Sequence, residues 1–375
     1  MNIEKVELYR VKIPLKQPYK IATAEMRAFD CTIIRLHSQG REGLGEAMAD
    51  IQGYFWESAD DVWQFAKGQG PKILGLSVEK GWELISSHAK KRPCSVTPFL
   101  TAMEMMNPKS RLAPPSEFLS VPMLGILQAE NPEGIRDEVE SFIAQGYETI
   151  KIKVGFEVAK DIERVRLAQK IMRGRARLRA DANQGYTLAQ AKKFVQSIGS
   201  EDIEFLEQPF RENDWESMVR LSRVSPVPLG LDESIYGMDS VKKAKELGCA
   251  RFVKFKIMKM GSAKSLVRAI EASRRMGFGV ILGNGAAGEI SCYQEALLAA
   301  RMAIPAGEMN GFLKQKESIL IQGLRTEGGK ISLPLHFRPR LDPQKMDRFC
   351  MDRILMDPKK SPRASPRRKP VARTH

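Results

Sequence analysis

The sequence lacks the features that mark several common classes of protein. It has no apolar run of about 18 residues or more, so we expect no membrane-spanning helix and no membrane partner. Its 5 cysteines are widely spaced and form no CxxC pair, which argues against a disulfide framework and against a cysteine zinc site. The N-terminus lacks the apolar core of a secretory signal, and a reducing cytoplasm is the compartment that we expect.

Positive charge is concentrated at the C-terminus. The net charge of the 375 residues is +15, and residues 358–375 hold seven Lys or Arg and no acid, which leaves +8 for residues 1–357. The terminal segment is rich in Pro, Ser and Arg and cannot bury apolar surface, so we predict a disordered basic tail. Because no zinc finger, helix-turn-helix or aromatic RNA-binding motif is present, we expect no specific nucleic-acid partner. The remaining positive charge suits a small-molecule carboxylate substrate.

Residues 1–120 have the pattern of an α+β domain. Alternating apolar residues over 3–14 predict a strand. Residues 58–112 are typical of helices, and we predict breaks at Gly68–Gly70, at Arg92–Pro93 and at Pro98 because glycine and proline interrupt helices.

Residues 121–335 follow a different rhythm. Short apolar runs alternate with amphipathic helical patterns at intervals of about 20–30 residues. Eight repeats of a strand and a helix predict a (β/α)8 barrel of the α/β class rather than an open sheet. Residues 336–357 are expected to pack back on the first domain. The strand candidates are 121–127, 149–154, 177–182, 203–207, 228–232, 252–257, 280–283 and 302–308.

Three acidic residues lie at the ends of consecutive strand candidates. Asp181, Glu207 and Asp232 are separated by 26 and 25 residues, which is one strand-and-helix repeat each. The carboxyl ends of barrel strands converge on one mouth, where active sites are built. Converging carboxylates repel one another unless a cation neutralises them. A ligand set of oxygens without His or Cys favours Mg²⁺.

Lysines lie on both sides of these acids. Lys151 and Lys153 are on the preceding strand, two residues apart and therefore on one face, and Lys256 is on the strand that follows the acids. Their ammonium groups are expected on opposite flanks of the metal. A lysine next to another cation loses its proton more easily, so we expect Lys151 to lower the pKa of Lys153 and make it a base near neutral pH.

Five motifs occur in order along the barrel segment: Lys151-Ile-Lys153-Val-Gly, Arg179-Ala-Asp181-Ala-Asn183-Gln-Gly, Phe205-Leu-Glu207-Gln-Pro, Leu231-Asp232-Glu233-Ser and Lys256-Ile-Met-Lys-Met-Gly261. A sixth, Gly43-Leu-Gly45-Glu46-Ala47, lies in the first domain. Together they resemble the enolase superfamily, specifically its muconate lactonizing enzyme subgroup within the mandelate racemase/muconate lactonizing enzyme family.

The resemblance implies a (β/α)8 barrel whose mouth is covered by the α+β domain as a cap. It assigns Mg²⁺, with Mn²⁺ as a substitute, to Asp181, Glu207 and Asp232, and it assigns acid–base catalysis to Lys153 and Lys256. In this chemistry the substrate carboxylate binds the metal and the α-proton is removed. The metal and nearby lysines then stabilise the enediolate that forms.

Five polar residues are candidates to support the metal ligands or to contact the substrate. Asn183 and Glu233 lie next to the metal ligands along the chain. Lys254 stands where this subgroup often has Asn, and it would add charge to the pocket or lower the pKa of the neighbouring catalytic lysine. Glu308 lies where dipeptide epimerases carry Asp-x-Asp, which leaves one carboxylate for an amine or hydroxyl group. Asn284 follows the seventh strand candidate.

The resemblance leaves several reactions open. Reprotonation on the opposite face gives a racemase or epimerase of an amino-acid derivative or related acid, which we expect because lysines on both flanks suit two-base chemistry. A muconate-type cycloisomerase and an o-succinylbenzoate-type dehydrating synthase keep both lysines and are the alternatives. A non-catalytic binding protein is a remote alternative, because all the lysines and acids are intact. We expect a homo-oligomer.

Overall fold

The computed structural model of the protein describes residues 1–21, 24–49, 51 and 55–358. The predicted basic tail lies outside the described residues from residue 359 onward. Within these ranges no helix is both long and apolar enough to cross a bilayer. The strands are β1 (Lys5–Ile21), β2 (Ala24–Ser38), β3 (Arg41–Ala47), β4 (Leu119–Pro122), β5 (Gly125–Leu127), β6 (Thr149–Lys153), β7 (Arg177–Asp181), β8 (Ile203–Glu207), β9 (Leu229–Leu231), β10 (Phe252–Phe255), β11 (Gly279–Leu282), β12 (Arg325–Glu327), β13 (Lys330–Leu333) and β14 (Cys350–Met356). The helices are α1 (Ala59–Ile73), α2 (Val78–Ser86), α3 (Pro93–Met106), α4 (Pro132–Ala144), α5 (Val158–Met172), α6 (Leu188–Ser197), α7 (Trp215–Ser222), α8 (Gly237–Leu247), α9 (Ile257–Met260), α10 (Ala263–Arg275), α11 (Glu289–Arg301), α12 (Gly311–Lys314) and α13 (Pro343–Phe349).

An antiparallel sheet and three helices form the N-terminal layer. The strand order is β14-β1-β2-β3, so the last strand of the described chain pairs with the first. Alternate residues of β1, such as Val6 and Leu8, face the same side of the sheet. They pack with Trp63 of α1 and Phe99 of α3 in an apolar cluster that is separate from the barrel core. Burial of this cluster ties the helices to the sheet.

Helix α1 continues through the break predicted at Gly68–Gly70. It begins with a capping box in which Ser58 Oγ accepts from the backbone N–H of Asp61 and the Asp61 carboxylate accepts from the N–H of Ser58. Trp63 and Ile73 lie on its buried face. The glycines cost about 1 kcal/mol each relative to alanine. Packing of the apolar face outweighs that cost. The prediction from the local sequence pattern did not take this packing into account.

Helix α3 likewise continues through Pro98 and packs closely on β3. The carbonyl oxygens of Pro98 and Ala102 lie where a side chain at Gly45 or Gly43 would stand, so any Cβ at these two positions would overlap the helix backbone. The break predicted at Pro98 is wrong, because burial of α3 along its whole length stabilises it. The Gly43–Ala47 motif therefore serves the contact between sheet and helix.

The barrel predicted from the sequence is confirmed. Seven parallel strands form a curled sheet in the order β11-β10-β9-β8-β7-β6-β5, and helices α4 to α8, α10 and α11 follow the successive strands. The first strand candidate, 121–127, is divided in the structure. Its first part is β4, which pairs with β13 outside the barrel, and its last part is β5.

The eighth strand candidate, 302–308, does not form a named strand. Its backbone still closes the ring, because the N–H of Glu308 donates to Leu282 O (3.2 Å) and the N–H of Leu124 donates to Gly307 O (3.2 Å). Pro305 lies in this segment and lacks the N–H that a regular ladder requires. The barrel is therefore completed by a few backbone hydrogen bonds rather than by a full strand.

Candidate active site

Five consecutive strands bring the predicted site residues to one end of the barrel. Lys153, Asp181 and Glu207 are direct neighbours in register across β6, β7 and β8. Asp232 directly follows β9, and Lys256 directly follows β10. Because parallel strands end at the same edge of a sheet, these side chains lie together at the carboxyl end of the barrel.

Two lysines form ion pairs with the carboxylates of the three predicted metal ligands. Lys151 Nζ lies 2.7 Å from Asp181 Oδ2 and 2.9 Å from Glu207 Oε2. Lys254 Nζ lies 2.9 Å from Glu207 Oε1 and 3.2 Å from Asp232 Oδ2. All five side chains are buried, so each carboxylate is neutralised inside the protein. Burial raises the pKa of Asp181, but the neighbouring ammonium groups outweigh burial and lower the pKa to about 2.

Lys153 is linked to Glu233 through Asn183. Its ammonium group donates to Asp181 Oδ2 (2.7 Å) and to Asn183 Oδ1 (2.6 Å). Asn183 Nδ2 in turn donates to Glu233 Oε1 (3.0 Å), and the backbone N–H of Asn183 donates to Asp181 Oδ1 (2.9 Å). The amide of Asn183 therefore fixes the position of the Lys153 ammonium group.

Lys256 lies on the opposite flank, against Asp232. Its ammonium group forms an ion pair with Asp232 Oδ1. Lys259 Nζ lies 3.6 Å from the same carboxylate oxygen and donates to the backbone carbonyl of Asp232 (3.0 Å). Lys259 also lies 4.4 Å from the ring centre of Tyr236, which stacks on Trp56 at 3.9 Å. Asp232 therefore holds two lysines on this side of the mouth.

Glu308 contacts two buried lysines. Its Oε1 lies 2.5 Å from Lys151 Nζ, and its Oε2 forms an ion pair with Lys254. Both oxygens of the carboxylate are held by ammonium groups of the protein itself. The sequence suggested that this carboxylate was left for a substrate amine or hydroxyl, and the structure shows that it is also the counter-ion of two buried lysines.

Asn284 does not join the carboxylates. Its backbone N–H donates to Glu295 Oε2 (3.0 Å), and its Oδ1 accepts from the N–H of Ala286 (3.0 Å). Glu295 Oε1 also accepts from the N–H of Ile257 (2.9 Å), next to Lys256. Asn284 Nδ2 is buried and has no hydrogen-bond partner among the described residues. Asn284 and Glu295 therefore fix the turn after β11 against the end of β10.

The two flanking lysines have different electrostatic environments. Burial and neighbouring lysines lower the pKa of Lys256 to about 8, against the opposing effect of Asp232. Burial also acts to lower the pKa of Lys153, but Asp181 and other nearby groups outweigh it and the net change is upward. The net pKa of Lys153 is therefore raised rather than lowered, because the Asp181 carboxylate 2.7 Å away outweighs burial.

A cavity of about 750 Å³ leads to Lys153. It is bounded by Tyr19 of β1, by Ile126 and Gln128 at the end of β5, and by Phe156 after β6. The side chain of Lys153 is 13% exposed, whereas those of the other lysines in the carboxylate cluster are at most 3% exposed. A cavity of this size accommodates a small molecule, and Lys153 is the member of the charged cluster that lines it among the described residues.

Two lysines of the site were not predicted from the sequence. Lys259 lies three residues after Lys256, and the short helix α9 returns its ammonium group to Asp232. That spacing could have indicated a helical turn. Lys314 belongs to α12, beyond the last strand candidate, and no strand pattern there predicts that it lies near the barrel mouth. Only the fold brings it there.

The residues at the strand ends fit a divalent metal by their chemistry. Among the described residues, no group of three or more His, Cys, Asp and Glu side chains has the arrangement of a metal site, because lysines lie between the carboxylates. The donor set nevertheless consists of the carboxylates of Asp181, Glu207 and Asp232, buried on adjacent strands. Hard oxygen ligands of this kind suit Mg²⁺.

Known proteins resemble the chain over most of its length. It is 24% identical over 328 residues to the N-succinyl-L-Arg/Lys racemase of Bacillus cereus, and the alignment covers 84% of this chain and 85% of the racemase. It is 24% identical over 369 residues to muconate cycloisomerase 1 of Pseudomonas putida, which covers 93% and 98%. The crystal structure of the muconate lactonizing enzyme from Pseudomonas fluorescens superposes with a TM-score of 0.81 at 22% identity, covering 93% and 99%.

These comparisons agree with the barrel. The relatives are isomerases, with o-succinylbenzoate synthases also among the matches, and the chain is an enzyme of the enolase superfamily. The sequence profile of the enolase C-terminal domain-like family matches residues 134–337, and the chain belongs to this family.

Proposed function

We propose that the protein is a Mg²⁺-dependent enzyme that removes the α-proton of a carboxylate substrate, and that it racemises or epimerises an amino-acid derivative or a related acid. The observation that supports this proposal is the position of Lys153 and Lys256 on opposite sides of three adjacent carboxylates. A planar carbon held between two such amines can lose a proton on one face and gain one on the other.

Asp181, Glu207 and Asp232 would hold the metal. When bound, Mg²⁺ would supply positive charge that binds the substrate carboxylate and lowers the cost of forming the enediolate. Lys153 would exchange a proton with one face of the α-carbon and Lys256 with the other. A lysine acts as base when neutral and as acid when protonated, so the two exchange roles between the forward and reverse reactions.

Two further lysines would position the reacting groups. Lys151 contacts Asp181, Glu207 and Glu308, and Lys254 contacts Glu207 and Glu308, so these lysines hold the carboxylates at fixed places. Fixed charges of this kind lower the reorganisation that a change of charge at the substrate requires.

Isotope exchange tests the two-base mechanism. Each enantiomer of a set of N-acyl amino acids and dipeptides is incubated in D₂O with the wild type, Lys153→Ala or Lys256→Ala, and α-deuteration is followed by NMR. Each variant should lose exchange of one enantiomer, of opposite hand, by about 10²–10⁴-fold or more. Lys170→Ala, at an exposed position of α5, is the matched control and should behave as the wild type.

The same experiment can contradict the proposal. If both variants exchanged both enantiomers at the wild-type rate, the lysines would not be the two bases. If the wild type exchanged no α-proton but converted a muconate-type or cyclohexadienyl acid, the cycloisomerase or synthase reaction would replace racemisation.

A further inference from the structure

A cavity of about 360 Å³ lies at the end of β3 that is remote from the barrel mouth. Met48 follows β3, and its backbone N–H lies 3.1 Å from Met258 Sδ, two residues after Lys256, so this end of β3 is close to the mouth. Arg41, which lines the cavity, is the first residue of β3. A strand rises about 3.3 Å per residue, so Arg41 lies about 20 Å from Met48 along β3.

Segments from both domains line this cavity, which we call the linker cavity. The N-terminal domain contributes Arg41 and the end of α3, the linker between the domains contributes residues 108 and 113–116, and the segment after β13 contributes residues 336 and 338. Met105 and Met106 are buried and give the cavity an apolar floor. Cavities of this size at a junction of domains, with an apolar floor and a few polar groups, are typical of small-molecule sites.

Every ionisable side chain that lines the linker cavity is basic. These side chains are Arg41, His336 and Arg338, and all three residues are exposed. Within the part of the chain that the structure describes, none of them lies at ion-pair distance from a carboxylate. Glu42 follows Arg41 in the chain but pairs with Arg35 (2.5 Å). Because these positive charges are not balanced by an ion pair, they attract an anion more strongly than a neutralised cluster would.

The guanidinium group of Arg41 is already held at the cavity. Its Nη1 donates to Met106 O (3.3 Å), and this carbonyl belongs to the last turn of α3, where carbonyls lack partners within the helix. The other N–H groups of Arg41 have no hydrogen-bond partner among the described residues. They form a planar fork that matches two oxygens of one oxyanion. A side chain that is held in place loses less conformational freedom when a ligand binds.

The turn at His336 is fastened to the linker. The backbone φ of His336 is 58°, in the left-handed region that few residues other than glycine adopt. Its N–H donates to Pro115 O (2.9 Å), which holds the turn against the linker. Arg301 Nη2 donates to Pro114 O (3.2 Å) and brings a further positive charge close to the same segment. The linker therefore has basic side chains from three parts of the chain around it.

We propose that the linker cavity binds a small organic phosphate, whose phosphate group contacts Arg41, His336 and Arg338 and whose apolar part lies on Met105 and Met106. A phosphate carries up to two charges and three acceptor oxygens, which suits three donor side chains better than a carboxylate does. The ligand would contact the N-terminal domain, the linker and the segment after the barrel. This inference does not depend on the proposed function, because the cavity is remote from the barrel mouth.

Calorimetric titration with phenyl phosphate, benzoate and phenol tests the proposal. The wild type should bind phenyl phosphate, bind benzoate more weakly because it has one charge and two oxygens, and bind phenol least because it is neutral. Arg41→Gln and Arg338→Gln should each weaken the binding of phenyl phosphate about tenfold or more, the loss expected when a charge-assisted hydrogen bond is removed. Arg41→Lys keeps the charge but not the fork, and it should lose less affinity than Arg41→Gln.

Arg340→Gln is the matched control. Arg340 is exposed two residues after Arg338 and does not line the cavity, so its substitution changes the net charge equally and should leave the affinity unchanged. Binding of phenyl phosphate at the barrel mouth would survive both Arg41→Gln and Arg338→Gln, so unchanged affinity in these two variants overturns the proposal. It is also overturned if the wild type binds no phenyl phosphate at about 10 mM, if benzoate binds more tightly, or if Arg340→Gln weakens binding as much as Arg338→Gln does.

Thermal unfolding gives a second measurement that does not require turnover. A ligand that binds only the folded protein raises the Tm. Phenyl phosphate should therefore raise the Tm of the wild type and of Arg340→Gln, and it should raise that of a variant with both Arg41→Gln and Arg338→Gln much less. An equal rise in all three proteins would overturn the proposal. None of these results bears on the exchange of α-protons, so the linker cavity and the proposed function succeed or fail separately.

Discussion

Removal of the ion pair between Lys254 and Glu308 should destabilise the barrel strongly, and the effects of substituting the two residues should not be additive. Lys254 is 2% exposed and Glu308 is 4% exposed. Lys254 also lies 2.9 Å from Glu207 and 3.2 Å from Asp232, so its charge balances three carboxylates at once. Lys254→Met keeps an apolar stem of similar length but leaves these carboxylates with one counter-ion fewer.

The expected magnitudes follow from burial. Removing one partner of a buried ion pair costs about 3–5 kcal/mol of unfolding free energy. Glu308→Gln should cost less, about 1–3 kcal/mol, because Lys254 keeps two other carboxylates and the amide still accepts a hydrogen bond. The double variant removes both charges together, so its loss should be smaller than the sum of the single losses by about 1–3 kcal/mol.

Urea unfolding of the four proteins measures these quantities through the midpoint and the slope of each transition. The surface pair Arg175 and Glu140, with N–O contact at 2.6 Å, is the control, and both side chains are more than 40% exposed. A cycle of Arg175→Met and Glu140→Gln should give no coupling beyond experimental error, since exposed ion pairs contribute little. The reasoning would be refuted if Lys254→Met lost less than about 1 kcal/mol, or if the buried cycle gave no more coupling than the surface cycle.

Three further predictions concern the metal, pH and the C-terminus. Asp232→Asn should lower the affinity for Mg²⁺ at least about tenfold in calorimetry, and unchanged affinity in both this variant and Glu207→Gln would contradict the metal assignment. Burial raises the pKa of Glu104 to about 7, so the folded protein should lose up to about 3 kcal/mol of unfolding free energy as the pH rises from about 4.5 to 7. Glu104→Gln does not titrate, so its stability relative to the wild type should increase across that range. Urea midpoints of both proteins at pH 5 and pH 8 measure this difference. A chain that ends at Asp357 should keep its Tm within about 2 °C in calorimetry and keep its turnover, because the basic tail has no apolar periodicity.

The sequence sufficed to predict the barrel and the position of its charged residues at the ends of the strands. Strand candidates alternated with helical patterns, and the parallel register then brought Lys153, Asp181 and Glu207 into one row. It did not suffice for the eighth segment. Pro305 lacks the backbone N–H of a regular ladder, and closure depends on hydrogen bonds with Leu124, which precedes β5, and with β11, both distant in the chain. The helix through Pro98 was missed for a similar reason, since its stability comes from burial against β3.

Side-chain partners inside the mouth were harder to predict than positions. Glu308 and Lys254 are 54 residues apart, and each alone suggested a role toward the substrate or toward a catalytic lysine. Only the folded chain shows that the two serve one another. Lys314 and Tyr19 lie still further apart in the sequence. Both lie near Gly285, and no local sequence pattern predicts this.

The ion pairing of Glu308 changes what the mouth offers to a substrate. Both oxygens of the Glu308 carboxylate contact ammonium groups of the protein, those of Lys151 and Lys254. The group that has only neutral partners among the described residues near the mouth is instead the ammonium of Lys314. Because a charge without a counter-ion attracts the opposite charge more strongly than a neutralised pair does, we expect the surroundings of Lys314 to attract anions more strongly than those of Glu308.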